Sequence, residues 1–336
     1  MYKPILFIIL SITLTSCIDE DDYVIKPIAL PEIKIPYSMY EYQIYFNLAD
    51  TQIIEHNYYA NWDLGFESTS AGFHIILNSS KFMYAGNAGI TDFSSITSNV
   101  ADTMMFDRSS GNLDSTAIGN WADFTDAMNP VFNKNVYIIN RGVDENGSSF
   151  GFKKIVFEKL ENSTYYIHYS NLDNTDEHYF QITKNASLNF VQFSFEEGGN
   201  LNTQQPDKGT WDFNLTKYST ILYDNNNVPT PYIVRGALIN NGVSVAKDSI
   251  TPFESITYSN ISGYTFSSKQ DAIGYNWKVY KNDNYTVKDN FNYIIKNRDG
   301  NYFKFRFTGF YNTISGDSNY GVKGYPTFQF SKLENN

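Results

Sequence analysis

The sequence predicts an all-β protein made of two tandem antiparallel β-sandwich-type domains, and three observations carry that expectation. Aromatic residues make up 17% of the 336 residues, with 27 Tyr and 26 Phe, while only 18% are charged. Bulky rings suit half-buried pleated strands, and so much apolar mass with so little charge excludes a disordered chain. Second, short β-rich runs are separated by clusters of Asn, Asp, Ser and Gly, the pattern of many strands joined by turns. Third, a set of landmarks is written twice in the same order. Gln43-Ile44-Tyr45-Phe46 is echoed by Gln192-Phe193-Ser194-Phe195, and Asn61-Trp62-Asp63-Leu64 by Thr210-Trp211-Asp212-Phe213, with equal spacing from Gln to Trp. Ala117-Ile118-Gly119-Asn120-Trp121 returns as Ala272-Ile273-Gly274-Tyr275-Asn276-Trp277 with one inserted Tyr. Tyr137-Ile138-Ile139 with Asn146-Gly147 matches Tyr293-Ile294-Ile295 with Asp299-Gly300, and Tyr166 to Leu172 matches Thr327 to Leu333. A period of about 150 residues is domain-sized, far beyond a solenoid repeat.

The N-terminus is read as a targeting segment. Met1-Tyr2-Lys3 leads into a largely apolar run from Ile5 to Ile12, too short to cross a membrane as a mature helix. Residues 1–16 therefore form a signal peptide. Leu14-Thr15-Ser16-Cys17 resembles the bacterial lipobox, which makes Cys17, the single cysteine, the lipidation site. Acylation there anchors the chain firmly. Residues 17–40 follow as a tether, acidic at Asp19-Glu20-Asp21-Asp22 and carrying Pro27, Pro31 and Pro36. The acidic stretch also reads as an ordinary solvated charge run. A formal net charge of -11 repels phosphate backbones and anionic lipid, so no nucleic-acid partner is expected.

Copy one spans residues 41–185 and copy two residues 186–336, and each is expected to fold as its own β domain. The pattern is clearest in Tyr302-Phe303-Lys304-Phe305-Arg306-Phe307, where Phe alternates with cations, so one face is core and the other wet. Ile294-Ile295 before it and Asp299-Gly300 between them predict a hairpin. Copy one repeats the unit, with Phe150 to Phe157 as the return strand. Amphipathic helix signals are weak throughout. The junction is placed between Leu172 and Leu188, with Asp173 to Glu177 a surface loop.

Catalytic signatures are missing: there is no Gly-x-Ser-x-Gly elbow, no phosphate-cradling loop, no His-Glu-x-x-His and no cysteine pair for zinc. No enzyme is expected, and no catalytic residue is assigned. Of the four histidines, His168 is read as lying on a wet strand face and His74 as a satisfied strand histidine. Glu196-Glu197 is read as a charge at a loop or strand end, because neighbours in a strand point to opposite faces.

Asn61-Trp62-Asp63-Leu64-Gly65-Phe66 with Ile76-Leu77-Asn78, the Ala-Ile-Gly-(Tyr)-Asn-Trp strings, Asp299 to Phe305, and Gly324-Tyr325-Pro326-Thr327-Phe328-Gln329-Phe330 resemble HmuY, the haem-binding lipoproteins of Bacteroidetes-type bacteria. The resemblance runs from about Tyr42 to Leu333, once per copy. It implies an all-β domain gripping one haem between two finger-like hairpins with two axial side chains. It also implies capture of haem, free or from a haem-carrying host protein, and delivery to an outer-membrane TonB-dependent receptor. The acidic tract resembles the signal that sends such lipoproteins to the outer face of the outer membrane.

Where bis-histidine members place a ligand five residues after the motif tryptophan, this chain has Asp126 and Asn282. The resemblance then points to a methionine pair, as in other members: Met104 or Met105 upstream of Trp121, and Met128 after it. If Met104 and Met105 are extended, only one of them can reach iron. Both could equally be core gap-fillers. Copy two has no His, Met or Cys; its candidates are Tyr275 and Tyr280, and Trp121, Trp277, Tyr275 and Tyr280 are the expected ligand-contacting aromatics. Opposed to haem capture stands an adhesion or assembly module, or a binder of another planar or sugar ligand.

Overall fold

Alternation dictates the strands. In Tyr302–Tyr311 the rings of Phe303, Phe305 and Phe307 are buried, while Lys304 and Arg306 between them stay half-buried, as a period of two requires. The computed structural model describes residues 30–126, 129–202 and 205–335; the signal segment, Cys17 and Met128 lie outside the described residues. Helical structure among them is confined to short 3-10 turns, and the architecture is all-β with antiparallel pairing throughout.

Four sheets form two matched pairs. One five-stranded sheet runs in the order His178–Thr183, Thr164–Ser170, Phe152–Glu161, Val136–Asn140, Tyr84–Asn87. Its counterpart runs Ile33–Lys34, Lys323–Leu333, Tyr302–Tyr311, Asn292–Lys296, Ser244–Asp248. Two four-stranded sheets face them: Asn200–Asn202, Phe190–Ser194, Leu64–Glu67, Ile75–Leu77, and Pro229–Ile239, Phe213–Tyr223, Tyr42–Asn47, Gln52–Tyr58. Within Tyr302–Tyr311 and Phe152–Glu161 the register against the next strand shifts at a bulge, which bends each long strand.

The sequence repeat and the cores are offset. Phe190–Ser194, at the start of copy two, pairs with Leu64–Glu67 of copy one. Tyr42–Asn47, at the start of copy one, pairs with Phe213–Tyr223 of copy two. The first core therefore contains Leu64, Phe66, Trp121, Ile139 and Phe157 together with Val191, Phe193 and Phe195. The second contains Phe213, Trp277, Phe305 and Phe328 together with Ile35, Met39, Ile44, Phe46 and Leu48. Each copy lends its opening strands to the other, inside one compact unit, Pro31–Asn336.

The last ten residues assigned to the tether belong to this exchange. Ile33–Lys34 pairs with Lys323–Leu333, and Ile35 and Met39 are buried. Their apolar side chains, spaced among prolines that still tolerate an edge strand, pull the fold's beginning back to Pro31.

The Trp-Asp motif is the latch of the exchange. Asp63 N donates to Phe193 O at 2.7 Å and Asp212 N to Phe46 O at 2.8 Å. Asp63 Oδ2 accepts from Phe195 N at 2.9 Å, and Asp212 Oδ2 from Leu48 N at 2.7 Å. Behind each aspartate an asparagine clamps the tryptophan turn: Asn78 Nδ2 donates to Tyr59 O and Trp62 O, and Asn240 Nδ2 to Lys208 O and Trp211 O.

One histidine reading is corrected. His168 is buried, its ring 3.9 Å from Phe93 and stacked on Tyr179 at 4.1 Å, with Nε2 2.7 Å from Glu177. The loop holding Phe93 covers the sheet face that the sequence reading left wet.

Candidate functional site

Each Ala-Ile-Gly-(Tyr)-Asn-Trp string is a turn that buries an isoleucine and a tryptophan and then launches a hairpin. Gly119 (φ +62°) and Gly274 (φ +72°) sit in the left-handed region, which a side chain resists, so the motif needs glycine there. In copy one the hairpin is Ala122–Asp123 with Val131–Phe132; in copy two it is Lys278–Lys281 with Asn284–Val287.

The motif tryptophans lie in the cores. Trp121 is 1% exposed, packs on Phe132, Phe124 and Phe157, and donates Nε1 to Phe73 O at 2.9 Å. Trp277 is fully buried and stacks on Phe307 at 3.8 Å. Lys278 lies over its ring at 4.1 Å and donates to Arg235 O; burial, reinforced by the Arg235 charge, pulls its ammonium down to about 7. Tyr275 is half-buried against Tyr218, Val234 and Leu238. Tyr280 is exposed on the second hairpin, 4.9 Å from Tyr285. Trp121 on one side and Trp277 on the other thus belong to separate cores.

An open groove of about 530 Å³ runs along the first hairpin, lined by Phe73, Phe124, Val131, Asn120 and Asn133 among others. Phe73 is stacked on Phe124 at 4.3 Å and on His74 at 4.4 Å. His74 Nδ1 lies 2.6 Å from Glu67 Oε2, and its side chain is 20% exposed. Of the methionines, Met104 packs on Ile96, Val136, Ile138 and Val156. Met105 is 46% exposed, its backbone bridged to Ala85 in both directions at 2.8 Å. The two neighbours are thus in different surroundings, as extended backbone requires. Among the described residues no group of three or more His, Cys, Asp or Glu could hold a metal ion.

A second cavity, of about 180 Å³, lies where the two cores meet. Sequence reasoning missed it because its walls come from both copies: Gln43, Tyr45, Trp62 and Leu77 from one, Gln192, Trp211, Asn214 and Asn240 from the other. The only advance signal was the doubled Gln and Trp at equal spacing.

Electrostatically the two copies differ. Burial raises the Asp63 carboxyl, but Lys81 and Arg141 outweigh it and hold the group ionised, below the usual carboxylate range. Lys81 Nζ is 2.5 Å and Arg141 Nη2 3.1 Å away, and Arg141 also reaches Glu196. Asp212 receives one backbone N–H and, among the described residues, no ion pair; burial pushes it up to about 6, with the Leu48 N–H and the more distant Arg298 pulling the other way. Asp107, which accepts from Leu77 N and Ala117 N, is likewise raised by burial to about 6.

The family model described as HmuY protein matches residues 39–330, across both copies. Three solved structures are similar over part of the chain: an HmuY-like haem-binding protein from Bacteroides vulgatus (18% identity, 39% of this chain and 78% of that one, TM-score 0.23), a lipoprotein from Bacteroides fragilis (16%, 53% and 88%, 0.21) and apo PinO from Porphyromonas gingivitis (15%, 54% and 97%, 0.18). No curated protein matches the chain.

Proposed function

The chain belongs to the HmuY family, and from that premise we propose that it binds one haem through copy one and works as a cell-surface lipoprotein in haem capture. The family match over both copies is the observation that carries this reading. Two thioethers are assigned as the donors. Met105 presents an exposed thioether beside a sheet edge, and Met128, outside the described residues, follows the first hairpin's opening strand as the second donor. Met105 and Met128 would hold the haem iron, and their soft, neutral sulfurs would favour the ferrous state and a raised potential. Around it, the chain's task is to exclude water and hold the ring. Phe73, Phe124 and Val131 along the hairpin groove are apolar surfaces suited to that. Copy two, lacking thioether and imidazole, is the structural partner, with Tyr275 and Tyr280 as its candidate ligand tyrosines.

Absorbance titration tests the reading. One equivalent of haem should give a Soret band with low-spin features, tighter after dithionite reduction; two equally tight sites, or none, would overturn it.

Lipidation at Cys17 and delivery to a TonB-dependent receptor complete the proposal. No helix among the described residues is long and apolar enough to cross a membrane, and the lipobox resemblance supplies the anchor. Cys17→Ser should release the protein from the outer-membrane fraction and abolish metabolic labelling by fatty acid. Retention with label would remove the anchor assignment.

A further inference from the structure

Duplication makes the seam cavity a two-sided structure, and its two sides are not equivalent. On one side Trp62 Nε1 donates to Gln43 Oε1 at 2.9 Å, closing the pair. On the other the same pair is open: Gln192 Oε1 accepts instead from Asn202 Nδ2 at 2.8 Å, and among the described residues Trp211 Nε1 has no partner although the residue is 6% exposed. Two acceptors in the same wall also lack a partner among the described residues, Asn214 Oδ1 (residue 8% exposed) and Gln205 Oε1. Each buried orphan of this kind costs about 1–3 kcal/mol, so three around one cavity call for an occupant that accepts from an indole N–H and donates to two amide oxygens.

The rest of the lining narrows the class. The indoles of Trp62 and Trp211 and the ring of Tyr45 offer flat apolar faces, and Tyr45 lies edge-on to Trp211 at 5.0 Å. Asp107 already accepts two backbone N–H groups, and Arg108 is exposed at the rim, so the buried wall asks for a neutral molecule. A volume near 180 Å³ is a little above the roughly 150 Å³ that encloses benzene, and below the roughly 300–1,000 Å³ of drug-sized pockets; a porphyrin is excluded. We propose that this cavity binds one neutral, hydroxyl-rich six-membered ring of monosaccharide size, with Trp211, Asn214 and Gln205 as its polar contacts. The site is independent of haem and joins both copies.

Titration of the mature full-length chain with D-glucose, D-galactose and myo-inositol, followed by tryptophan fluorescence and calorimetry, tests this. At least one should bind saturably with Kd about 1 mM or tighter and raise the melting temperature. Trp211→Phe should weaken binding at least tenfold. Gln205→Ala, a half-buried side chain whose loss leaves the cores intact, should weaken it too if Trp211→Phe misfolds. Equal binding of the methyl glycoside would assign the end of a glycan as the source, and preference for the free ring a free sugar; both support the site. Absence of saturable binding by all three, with ordered water alone filling the cavity in a crystal, would overturn it, as would affinity unchanged by both substitutions.

Discussion

The aspartate of the doubled Trp-Asp motif shows how identical letters acquire opposite chemistry. Asp63 sits with Lys81 and Arg141; among the described residues Asp212 holds only the Leu48 N–H at its carboxylate. Asp63→Asn should cost about 3–5 kcal/mol in denaturant unfolding, because it strands two buried cations. For Asp212 and Asp107 the sign is reversed. Their folded values, about 6, lie above the ordinary 3.8, so the fold favours the protonated form. The stability they contribute is full below pH 3.8 and is lost as pH rises through 6. Asp63, held low by its cations, and Asp248, where backbone and Tyr264 hydrogen bonds overcome burial to bring it to about 2, contribute stability above 3.8 that is lost as pH falls towards their folded values. Melting temperature should therefore be highest near pH 4, fall as pH rises to about 6, and fall again below about 3. General charge repulsion runs the same way above pH 5. Asp212→Asn separates the two effects: it should raise stability at pH 7 and flatten the pH 4–6 slope, whereas an unchanged slope would show that Asp212 does not carry it. The motif was legible as a repeat, but its electrostatics were not, since Lys81 and Arg141 are far from Asp63 in sequence and in no periodic relation to it.

At the level of elements, hairpins and alternating strands were legible because their determinants are local: the Asp299-Gly300 turn, the Phe303–Phe307 alternation, the glycine of each Ala-Ile-Gly string. The environment of Met104 and Met105 followed from backbone geometry once the segment was known to bridge Ala85. This yields unequal consequences for single substitutions. Met104→Ala removes a side chain packed on Ile138 and Val156 and should cost about 2–3 kcal/mol of stability, with the haem spectrum retained. Met105→Ala, at an exposed site, should leave the melting temperature within about 1 °C and abolish the low-spin bands, as should Met128→Ala. A spectrum that survives loss of both would shift attention to His74, whose imidazole is positioned by Glu67 and flanks the hairpin groove.

At the scale of the whole molecule, the duplication could be read from five landmarks, but which strand joins which sheet could not, because one partner of Tyr42–Asn47, the strand Phe213–Tyr223, is more than 160 residues away and strand patterns carry no record of their partner. The exchange changes what a cut should do. Dividing the chain after residue 185 takes Phe190–Ser194 away from Leu64–Glu67 and takes Tyr42–Asn47 away from Phe213–Tyr223. The second half then lacks Ile35, Met39, Ile44, Phe46 and Leu48, five side chains worth about 1.5–3 kcal/mol each, on the order of 10 kcal/mol together and comparable to the whole stability of a domain. Residues 59–202 keep a contiguous set of strands around the first core. We therefore expect 59–202 to fold alone, and 186–336 alone to show no cooperative melt by circular dichroism. Mixed with 31–185, it should form a one-to-one complex by size exclusion and recover a β spectrum, each fragment returning to the other the strands it lacks. A cooperative transition from 186–336 by itself would mean that the second core closes without the N-terminal strands, and the exchange would then be a feature of the intact chain rather than a requirement of its stability.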